Sequence, residues 1–364
     1  MKNRIKPKKI AFCTTCMNRM HHLQQTLAKN IQDNYLPDDV EFVLLDYNSG
    51  DGLEQWVRQN MQHYIDDGIL VYYKTFEPEC YFRSHSRNLA FRLANAELLC
   101  NLDADNFLGK GFASFMIEEF SKQDKIFYTN NFSCNDTFGR MCVRNSDFMA
   151  IRGYNESLTG YGYEDMDVFN RLKNIGLTQM RFNNPDFYHF VLHSDIDRIS
   201  EEYMIKNVTQ LYISYLNPYT SEILLLYKDF RMERYTLLDN SHLTNYAGYS
   251  NATNRIADDR YRITIQERVL TGKWNENNNV IHIQEDDAEY DAQEETSPIY
   301  FKGQTYYKVQ DLDLKAKLFT ILSETINFDE ANKQMENQSI INPDGFGRGI
   351  VFRNFDMSKE IILS

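Results

Sequence analysis

Residues 98–105 read LLCNLDAD, an apolar run that ends directly in the acidic triplet Asp103-Ala104-Asp105. A short apolar run bounded by polar residues is typical of a buried strand. Side chains alternate along an extended backbone, so the two carboxylates of the triplet are predicted to lie on the same side of it. This stretch therefore predicts a buried strand with an acidic site at its carboxyl end.

Three similar apolar runs precede this strand, at residues 9–14, 40–45 and 69–73, and helical patterns separate them. Alternating strands and helices favour right-handed crossovers and a mostly parallel sheet. Ligands of such sheets collect at the carboxyl ends of the strands. The sequence thus predicts an α/β fold in which the polar residues after the strands, at 14–19, 46–51 and 103–105, share one edge.

A second acidic cluster lies at residues 160–167, where GYGY is followed by EDMD. Glu164 and Asp165 fall in the first turn of a predicted helix, where the helix dipole favours anions, and capping alone would explain them. The flanking glycines and tyrosines favour a ligand site instead, because Tyr161 and Tyr163 offer flat rings to a sugar. A carboxylate held there can act as a general base towards an attacking hydroxyl.

The carboxylates of the triplet suit a hard divalent cation, Mn²⁺ or Mg²⁺, of the kind that bridges a diphosphate. His193 follows the apolar segment 187–192, and its imidazole could complete a site begun by Asp105. Arg87, before the triplet, and Arg19, after the first strand, are candidates to offset diphosphate charge. Taken singly, each of these side chains is equally well explained as a core or surface residue.

The chain has 364 residues, with 39 Lys+Arg and 52 Asp+Glu, so its formal charge is −13. This balance argues against a nucleic-acid partner, which needs a broad basic face. Hydrophobic residues make up 42% of the chain, enough for packed cores, yet the sequence has no run of about 18 apolar residues that would predict a membrane span. Cys13 and Cys16 have CxxC spacing without a second pair, which favours buried cysteines over a zinc site.

The N-terminal residues do not have the pattern of a secretory signal, so we expect a cytoplasmic protein with reduced cysteines. Five basic residues fall within the first nine. They suit peripheral contact with the anionic inner face of a membrane, although a flexible tail is the simpler interpretation. The composition changes near residue 230, where Asn, Gln, Asp and Glu begin to dominate. We therefore expect two domains, 1–230 and 231–364, with helices over 200–230 and a smaller α+β region at the C-terminus.

Together these residues resemble the inverting glycosyltransferases of the GT-A fold, family 2 and its relatives. The similar motifs, in chain order, are Thr14-Thr15-Cys16-Met17-Asn18-Arg19, Asp46 with Ser49 and Asp51, Arg87-Asn88-x-Ala90, Asp103-Ala104-Asp105, Gly153-Tyr154-Asn155-Glu156, Gly162-x-Glu164-Asp165-x-Asp167 and His193. The stretch around Glu164-Asp165 is particularly similar to the β-1,4-galactosyltransferases and the chondroitin-type polymerases. The resemblance covers residues 8–200.

The resemblance implies a Rossmann-like, mostly parallel GT-A sheet and transfer of a hexose or N-acetylhexosamine. The donor would be a UDP-sugar, and the acceptor a hydroxyl of a saccharide or glycoconjugate. Asp165 would be the general base, with Glu164 beside it. Asp105 and His193 would bind Mn²⁺ or Mg²⁺. The implied donor-nucleotide residues are Thr14, Arg19, Asp46, Arg87 and Asp103, and the implied acceptor residues are Tyr161, Tyr163 and Asp167.

Two other classes of protein stay open at this point. A nucleotidyltransferase also places an acidic site at the end of a strand, but it usually has a glycine-rich phosphate loop after the first strand, and residues 14–19 contain no glycine. A non-catalytic protein that binds a nucleotide sugar or a carbohydrate would have no need of Asp105, Asp165 and His193 together. Hydrolysis of a UDP-sugar in the presence of Mn²⁺ would separate these classes.

Overall fold

A computed structural model of the chain describes residues 6–130, 137–239, 263–277, 280–285, 288–293 and 298–364. The chain forms two compact units. The first consists of Met1–Thr159, Tyr163–His193 and Glu330–Ser364, and the second of Gly160–Gly162 and Ser194–Asp329. The first five residues, part of the basic N-terminus, lie outside the described residues.

The first unit is built on a nine-stranded mixed sheet with the strand order β17-β16-β3-β2-β1-β4-β6-β5-β7. Its strands are β1 (Lys8–Cys16), β2 (Val40–Tyr47), β3 (Leu70–Thr75), β4 (Ala96–Asn101), β5 (Ile126–Thr129), β6 (Met141–Arg144), β7 (Thr178–Arg181), β16 (Gly349–Arg353) and β17 (Asp356–Leu363). Its helices are α1 (Met20–Asn34), α2 (Leu53–Asn60), α3 (Gln62–Asp66), α4 (Arg83–Leu93), α5 (Phe112–Lys122), α6 (Asn145–Ala150) and α7 (Glu164–Asn174).

The four central strands of this sheet, β3, β2, β1 and β4, run parallel. Both faces are covered, because Ile10 and Phe12 of β1 pack in one hydrophobic cluster while Ala11 and Cys13 pack in the other. A parallel sheet needs this double cover, which is why its strands are apolar at nearly every position. The predicted α/β fold with a mostly parallel central sheet is confirmed, and the carboxyl ends of β1, β2 and β4 lie along one edge.

The C-terminal part of the chain adds two strands to this sheet. β16 pairs antiparallel with β3 through Phe352 and Arg353, and β17 pairs antiparallel with β16. The sequence did not predict that the C-terminal strands pair with β3, because a hairpin at a sheet edge leaves no pattern that distinguishes it from any other hairpin.

The second unit contains an eight-stranded sheet with the order β13-β12-β11-β10-β9-β8-β15-β14. Its strands are β8 (Val208–Asn217), β9 (Thr220–Tyr227), β10 (Arg231–Asp239), β11 (Ile263–Asn277), β12 (Val280–Glu285), β13 (Ala288–Gln293), β14 (Ile299–Phe301) and β15 (Gln304–Lys308). Its helices are α8 (Asp195–Ile199), α9 (Tyr203–Asn207) and most of α10 (Leu312–Glu336). Within the described residues of both units, none of the helices is long and apolar enough to span a membrane.

The prediction of helices over 200–230 is wrong. After the short helix α9 the chain forms β8 and β9, which pair antiparallel. Ile223 and Leu225 pack with α10, while Leu224 and Leu226 pack in a second cluster on the other face. A strand buried on both faces reads as a continuous apolar run, which periodicity alone cannot distinguish from a buried helix. The predicted boundary near residue 230 falls between β9 and β10, which are hydrogen-bonded neighbours in this sheet.

Candidate active site

The acidic triplet follows β4, as predicted, but its backbone is not extended. The amide of Asn106 donates to the carbonyl of Asp103 at 3.0 Å, so the chain turns at this point. The turn sends the two carboxylates to different partners: Asp103 contacts Arg87, and Asp105 contacts His193. The expectation that both carboxylates lie on one side of a straight backbone is therefore corrected.

Asp105 and His193, which are 88 residues apart in sequence, lie in direct contact. The distance between Asp105 Oδ2 and His193 Nε2 is 2.7 Å. Both side chains are largely buried, with 14% and 6% of their surfaces exposed. Burial alone would raise the pKa of Asp105, but the hydrogen bond and charge of His193 outweigh it and hold that pKa below its ordinary value. A carboxylate kept ionised beside an imidazole is a suitable pair of donors for a divalent cation.

Backbone pairing brings these two residues together. The amide of Val191 donates to the carbonyl of Asp105 at 2.7 Å, and the amide of Phe107 donates to the carbonyl of His189 at 2.9 Å. Helix α1 fixes the same turn from the other side, because the hydroxyl of Thr26 donates to the carbonyl of Ala104 at 2.7 Å. The triplet is thus held by hydrogen bonds on both sides.

His22 of α1 is a site residue that sequence reasoning missed. Its ring centroid lies 5.4 Å from that of His193, and its side chain is buried. Burial, with the charge of nearby Arg19, lowers the pKa of His22 to about 4. In the sequence, His22 is marked only by its position in the first turn of the helix that follows the first strand. Many helical residues have such a position, so it does not single out a site residue.

Arg87 joins three carboxylates that come from two separate parts of the chain. Its guanidinium lies 2.9 Å from Asp165 Oδ1, 3.2 Å from Asp103 Oδ1 and 3.4 Å from Glu164 Oε1. Only 3% of the Arg87 side chain is exposed. Burial opposes its charge, but the three carboxylates outweigh burial and raise the pKa of Arg87. The cluster carries three negative charges against one positive charge when all four groups are ionised.

The pKa of Asp165 differs from that of an ordinary aspartate. Burial is the largest cause, and with repulsion from Glu164 and Asp103 it raises the pKa of Asp165 from 3.8 to about 7, even though Arg87 acts in the opposite direction. A general base works best when its pKa lies near the working pH. The environment of Asp165 therefore suits it to accept a proton near neutral pH.

The cluster also contains polar atoms without a protein partner. Among the described residues, Arg87 Nε, the Tyr154 hydroxyl and Glu164 Oε2 are buried and form no hydrogen bond. Buried polar atoms are nearly always satisfied, so these atoms have hydrogen-bonding capacity that a water molecule or a ligand could use. Gly139 borders the same space: a Cβ atom there would lie 2.9 Å from Arg87 Nη2 and 3.1 Å from Asp165 Oδ2.

The predicted donor-nucleotide residues occupy different environments. Arg19 is half-buried, and its Nη1 lies 3.4 Å from His22 Nδ1. Thr14 is nearly fully buried in β1. Asp46 is completely buried and accepts hydrogen bonds from the Ser49 amide at 2.8 Å and the Tyr72 hydroxyl at 2.6 Å. The Asp46 carboxylate thus faces the interior and holds the loop after β2, and its contact with a nucleotide stays a prediction.

The predicted acceptor residues also have different surroundings. Tyr163, with φ +69°, directly precedes the first residue of α7. Asp167 forms an ion pair with Arg171, with a shortest distance of 2.5 Å, so its position supports a structural role rather than acceptor contact. Tyr161 belongs to the second unit, where its hydroxyl accepts a hydrogen bond from Arg198 at 3.1 Å.

The described residues contain no group of three or more His, Cys, Asp and Glu side chains arranged to hold a metal ion. The pair formed by Asp105 and His193 offers an anionic oxygen and a nitrogen, which lie 2.7 Å apart. Mn²⁺ and Mg²⁺ usually keep waters or substrate phosphates among their ligands. Two protein ligands fit a cation of that kind and do not fit a closed structural site.

Comparison with known families gives a match to one part of the chain. Residues 125–194 match the family described as the N-terminal domain of galactosyltransferase. The matched segment contains Glu164, Asp165 and His193. The predicted resemblance to glycosyltransferases is confirmed. No curated protein matches the chain.

Several solved structures are distantly similar to this chain. S. aureus TarS 1–349 is 13% identical, covering 50% of this chain and 60% of that chain with a TM-score of 0.43. The mannosyltransferase PcManGT from Pyrobaculum calidifontis, in complex with GDP-Man and Mn²⁺, is 16% identical, covering 49% and 55% with a TM-score of 0.41. The catalytic domain of Drosophila β1,4-galactosyltransferase 7, in complex with xylobiose, is 12% identical, covering 58% and 90% with a TM-score of 0.37. The match thus spans less than two thirds of the first two proteins, and scores of this size carry no functional information.

Proposed function

We propose that this chain is a metal-dependent inverting glycosyltransferase that moves a hexose or an N-acetylhexosamine from a UDP-sugar to a hydroxyl of a saccharide or glycoconjugate. The observation that carries the proposal is the Arg87 guanidinium, which joins Asp103 after β4 to Asp165 at the start of α7. Through this contact Asp165, whose pKa is raised, lies beside the acidic turn that follows the central parallel strand β4. Such strand ends are where ligands of α/β sheets bind.

Asp105 and His193 would hold the divalent cation, Mn²⁺ or Mg²⁺. When bound, the cation would supply charge neutralisation for the departing nucleoside diphosphate. Asp103, of which 31% of the side chain is exposed, is the more accessible carboxylate of the triplet and would contact the donor. Arg19, whose charge acts on Asp105, would add a positive charge near the cation and the diphosphate.

The chemical step that we propose needs one base. Asp165 would accept the proton of the acceptor hydroxyl as its oxygen forms a bond to the anomeric carbon, while the bond from that carbon to the diphosphate oxygen breaks on the opposite face. The sugar configuration is then inverted, and UDP leaves with the electron pair. Arg87 would keep Asp165 oriented, and the unpartnered Oε2 of Glu164 would accept a hydrogen bond from a sugar hydroxyl.

Transfer assays with a panel of nucleotide sugars test the proposal. Purified protein is incubated with each nucleotide sugar, Mn²⁺ and a panel of saccharide acceptors, while UDP release and the anomeric configuration of the product are measured. We expect one UDP-sugar to be used, with an inverted product, and Asp165→Asn to lower kcat by about 10²–10⁴-fold. Asp124→Asn, at a side chain that is 98% exposed, is the matched control and should keep full activity. A retained anomeric configuration would overturn the assignment of Asp165 as the base.

A further inference from the structure

A segment near the C-terminal end of the sequence is hydrogen-bonded to the loop that connects α6 and α7. Asn342 Nδ2 donates to the carbonyls of Arg152 at 2.7 Å and Tyr154 at 2.8 Å. Its Oδ1 accepts from the amide of Glu156 at 3.0 Å. One asparagine side chain thus satisfies three backbone groups of residues 152–156. We call residues 342–347 the clasp.

The other end of the clasp touches α4 directly. The amide of Gly347 donates to Glu156 Oε1 at 2.6 Å, and the same oxygen accepts from Asn88 Nδ2 at 2.8 Å. Gly347 has φ +56°, and a Cβ atom there would lie 2.7 Å from the carbonyl carbon of Asn88. The backbone of the clasp therefore packs against the residue that follows Arg87, at a distance that only glycine allows.

The same loop is also hydrogen-bonded to α4 and to α7, the two helices of the proposed site. From α4, Asn88 donates to the Tyr154 carbonyl and accepts from the Tyr154 amide, at 2.8 Å and 2.7 Å. From α7, Arg171 donates to the carbonyls of Ile151 and Gly153, both at 2.7 Å. One loop thus connects the helix that carries Arg87 with the helix that begins at Glu164 and Asp165, and the clasp is its third attachment.

We infer that the clasp is a positioning element for the proposed transfer reaction, because it holds α4 and α7 in the orientation that lets Arg87 meet Asp165. The inference rests on the proposed function for its kinetic consequence, but not for its structural one. None of the clasp contacts described above involves Arg87, Asp103, Asp165 or the Asp105–His193 pair. Its effect must therefore pass through the backbone of α4 and of the loop, and a misplacement of about 1 Å in a reacting group can cost 10²-fold in rate.

Two asparagines provide a matched test. Asn342 and Asn354 both have left-handed backbones, with φ +48° and +47°, so replacement by glycine strains neither. Asn342→Gly removes the three hydrogen bonds to residues 152–156. Asn354→Gly removes one, from the Tyr72 amide in β3, at 2.9 Å. Both variants are compared with the wild type at a temperature where all three remain folded.

We expect Asn342→Gly to lower kcat by about 10- to 100-fold while the donor KM stays unchanged, and Asn354→Gly to keep the wild-type kcat. Hydrogen exchange, measured by mass spectrometry without any substrate, should become faster in residues 83–93 and 153–165 of Asn342→Gly and near residues 70–75 of Asn354→Gly. If both variants lose kcat equally, or if exchange in residues 83–93 and 153–165 is unchanged, the inference is overturned.

The exchange measurement also separates the two claims. If the wild type transfers no sugar, the proposed function fails, yet the exchange pattern still decides whether the clasp orders α4 and α7. If the wild type is active and exchange changes in Asn342→Gly without a fall in kcat, the clasp is a structural feature only and the inference fails while the proposed function stands.

Discussion

Replacing Asp165 with asparagine should change the stability of the protein in a pH-dependent manner. Asparagine has nearly the same shape but cannot ionise. In the wild type, burial and the neighbouring carboxylates raise the pKa of Asp165 from 3.8 to about 7. Between these two values the folded protein keeps a proton on Asp165 that the unfolded chain releases, so the folded state loses stability as the pH rises through this window.

The size of the effect follows from the pKa difference. Each pH unit in this window lowers the free energy of unfolding by about 1.4 kcal/mol, and two of the three units between pH 5 and pH 8 lie inside the window. The wild type should therefore lose about 3 kcal/mol over that interval from this one group. The asparagine variant lacks this contribution. Relative to the wild type, it should therefore gain about 3 kcal/mol over the same interval, because groups distant from Asp165 titrate alike in both proteins and cancel in the comparison.

Urea unfolding followed by tryptophan fluorescence measures this difference. The chain has two tryptophans, Trp56 in α2 of the first unit and Trp274 in β11 of the second. A Trp274→Phe background leaves Trp56 as the reporter of the first unit, in which Asp165 lies. Asp124→Asn serves as the control and should show no such gain. A stability difference between Asp165→Asn and the background protein that is the same at pH 5 and pH 8 would refute the account of the Asp165 environment.

Three further predictions concern the site. Asp105→Ala should abolish the Mn²⁺-dependent part of UDP binding measured by calorimetry, since it removes one of two protein ligands; binding that keeps its Mn²⁺ dependence would contradict the metal assignment. Gly139→Ala should lower kcat by about 10²-fold with unchanged circular dichroism, because the added methyl displaces Arg87 and Asp165; full activity would mean that the cluster tolerates this displacement. Thr26→Val should lower the free energy of unfolding by about 1–3 kcal/mol in urea titrations, because a buried carbonyl loses its donor; an unchanged value would show that this hydrogen bond does not hold the turn.

The presence of the four central strands and their shared carboxyl edge were predictable from the sequence. Apolar runs bounded by polar residues define β1 to β4, and their alternation with helices restricts the connections to parallel crossovers. The nearness of Asp105 and His193 was expected from the metal chemistry of the two residue types and from the resemblance, because no local pattern predicts a contact across 88 residues. It forms through backbone pairing between residues 105–107 and 189–191, in segments too short to carry a periodic signal.

Other features had no sequence signal or a misleading one. Asp46 ends a strand like the site residues do, but Tyr72 of the neighbouring strand holds its carboxylate inside. Gly139 matters because of the side chains around it, which a sequence does not place. The strand β9 contains the same kind of apolar run as a buried helix, and only its antiparallel partners distinguish the two.

The central claim is that Asp105 and His193 hold a nucleoside diphosphate through a divalent cation. Thermal unfolding of the wild type with UDP alone, Mn²⁺ alone and both together tests it most directly, because a ligand present at about 100 times its Kd stabilises the folded state by about 2.7 kcal/mol. We predict that the two ligands together raise Tm by more than the sum of their separate effects, and that His193→Ala removes this excess. Additive shifts in the wild type, or an excess that persists in His193→Ala, would contradict the claim.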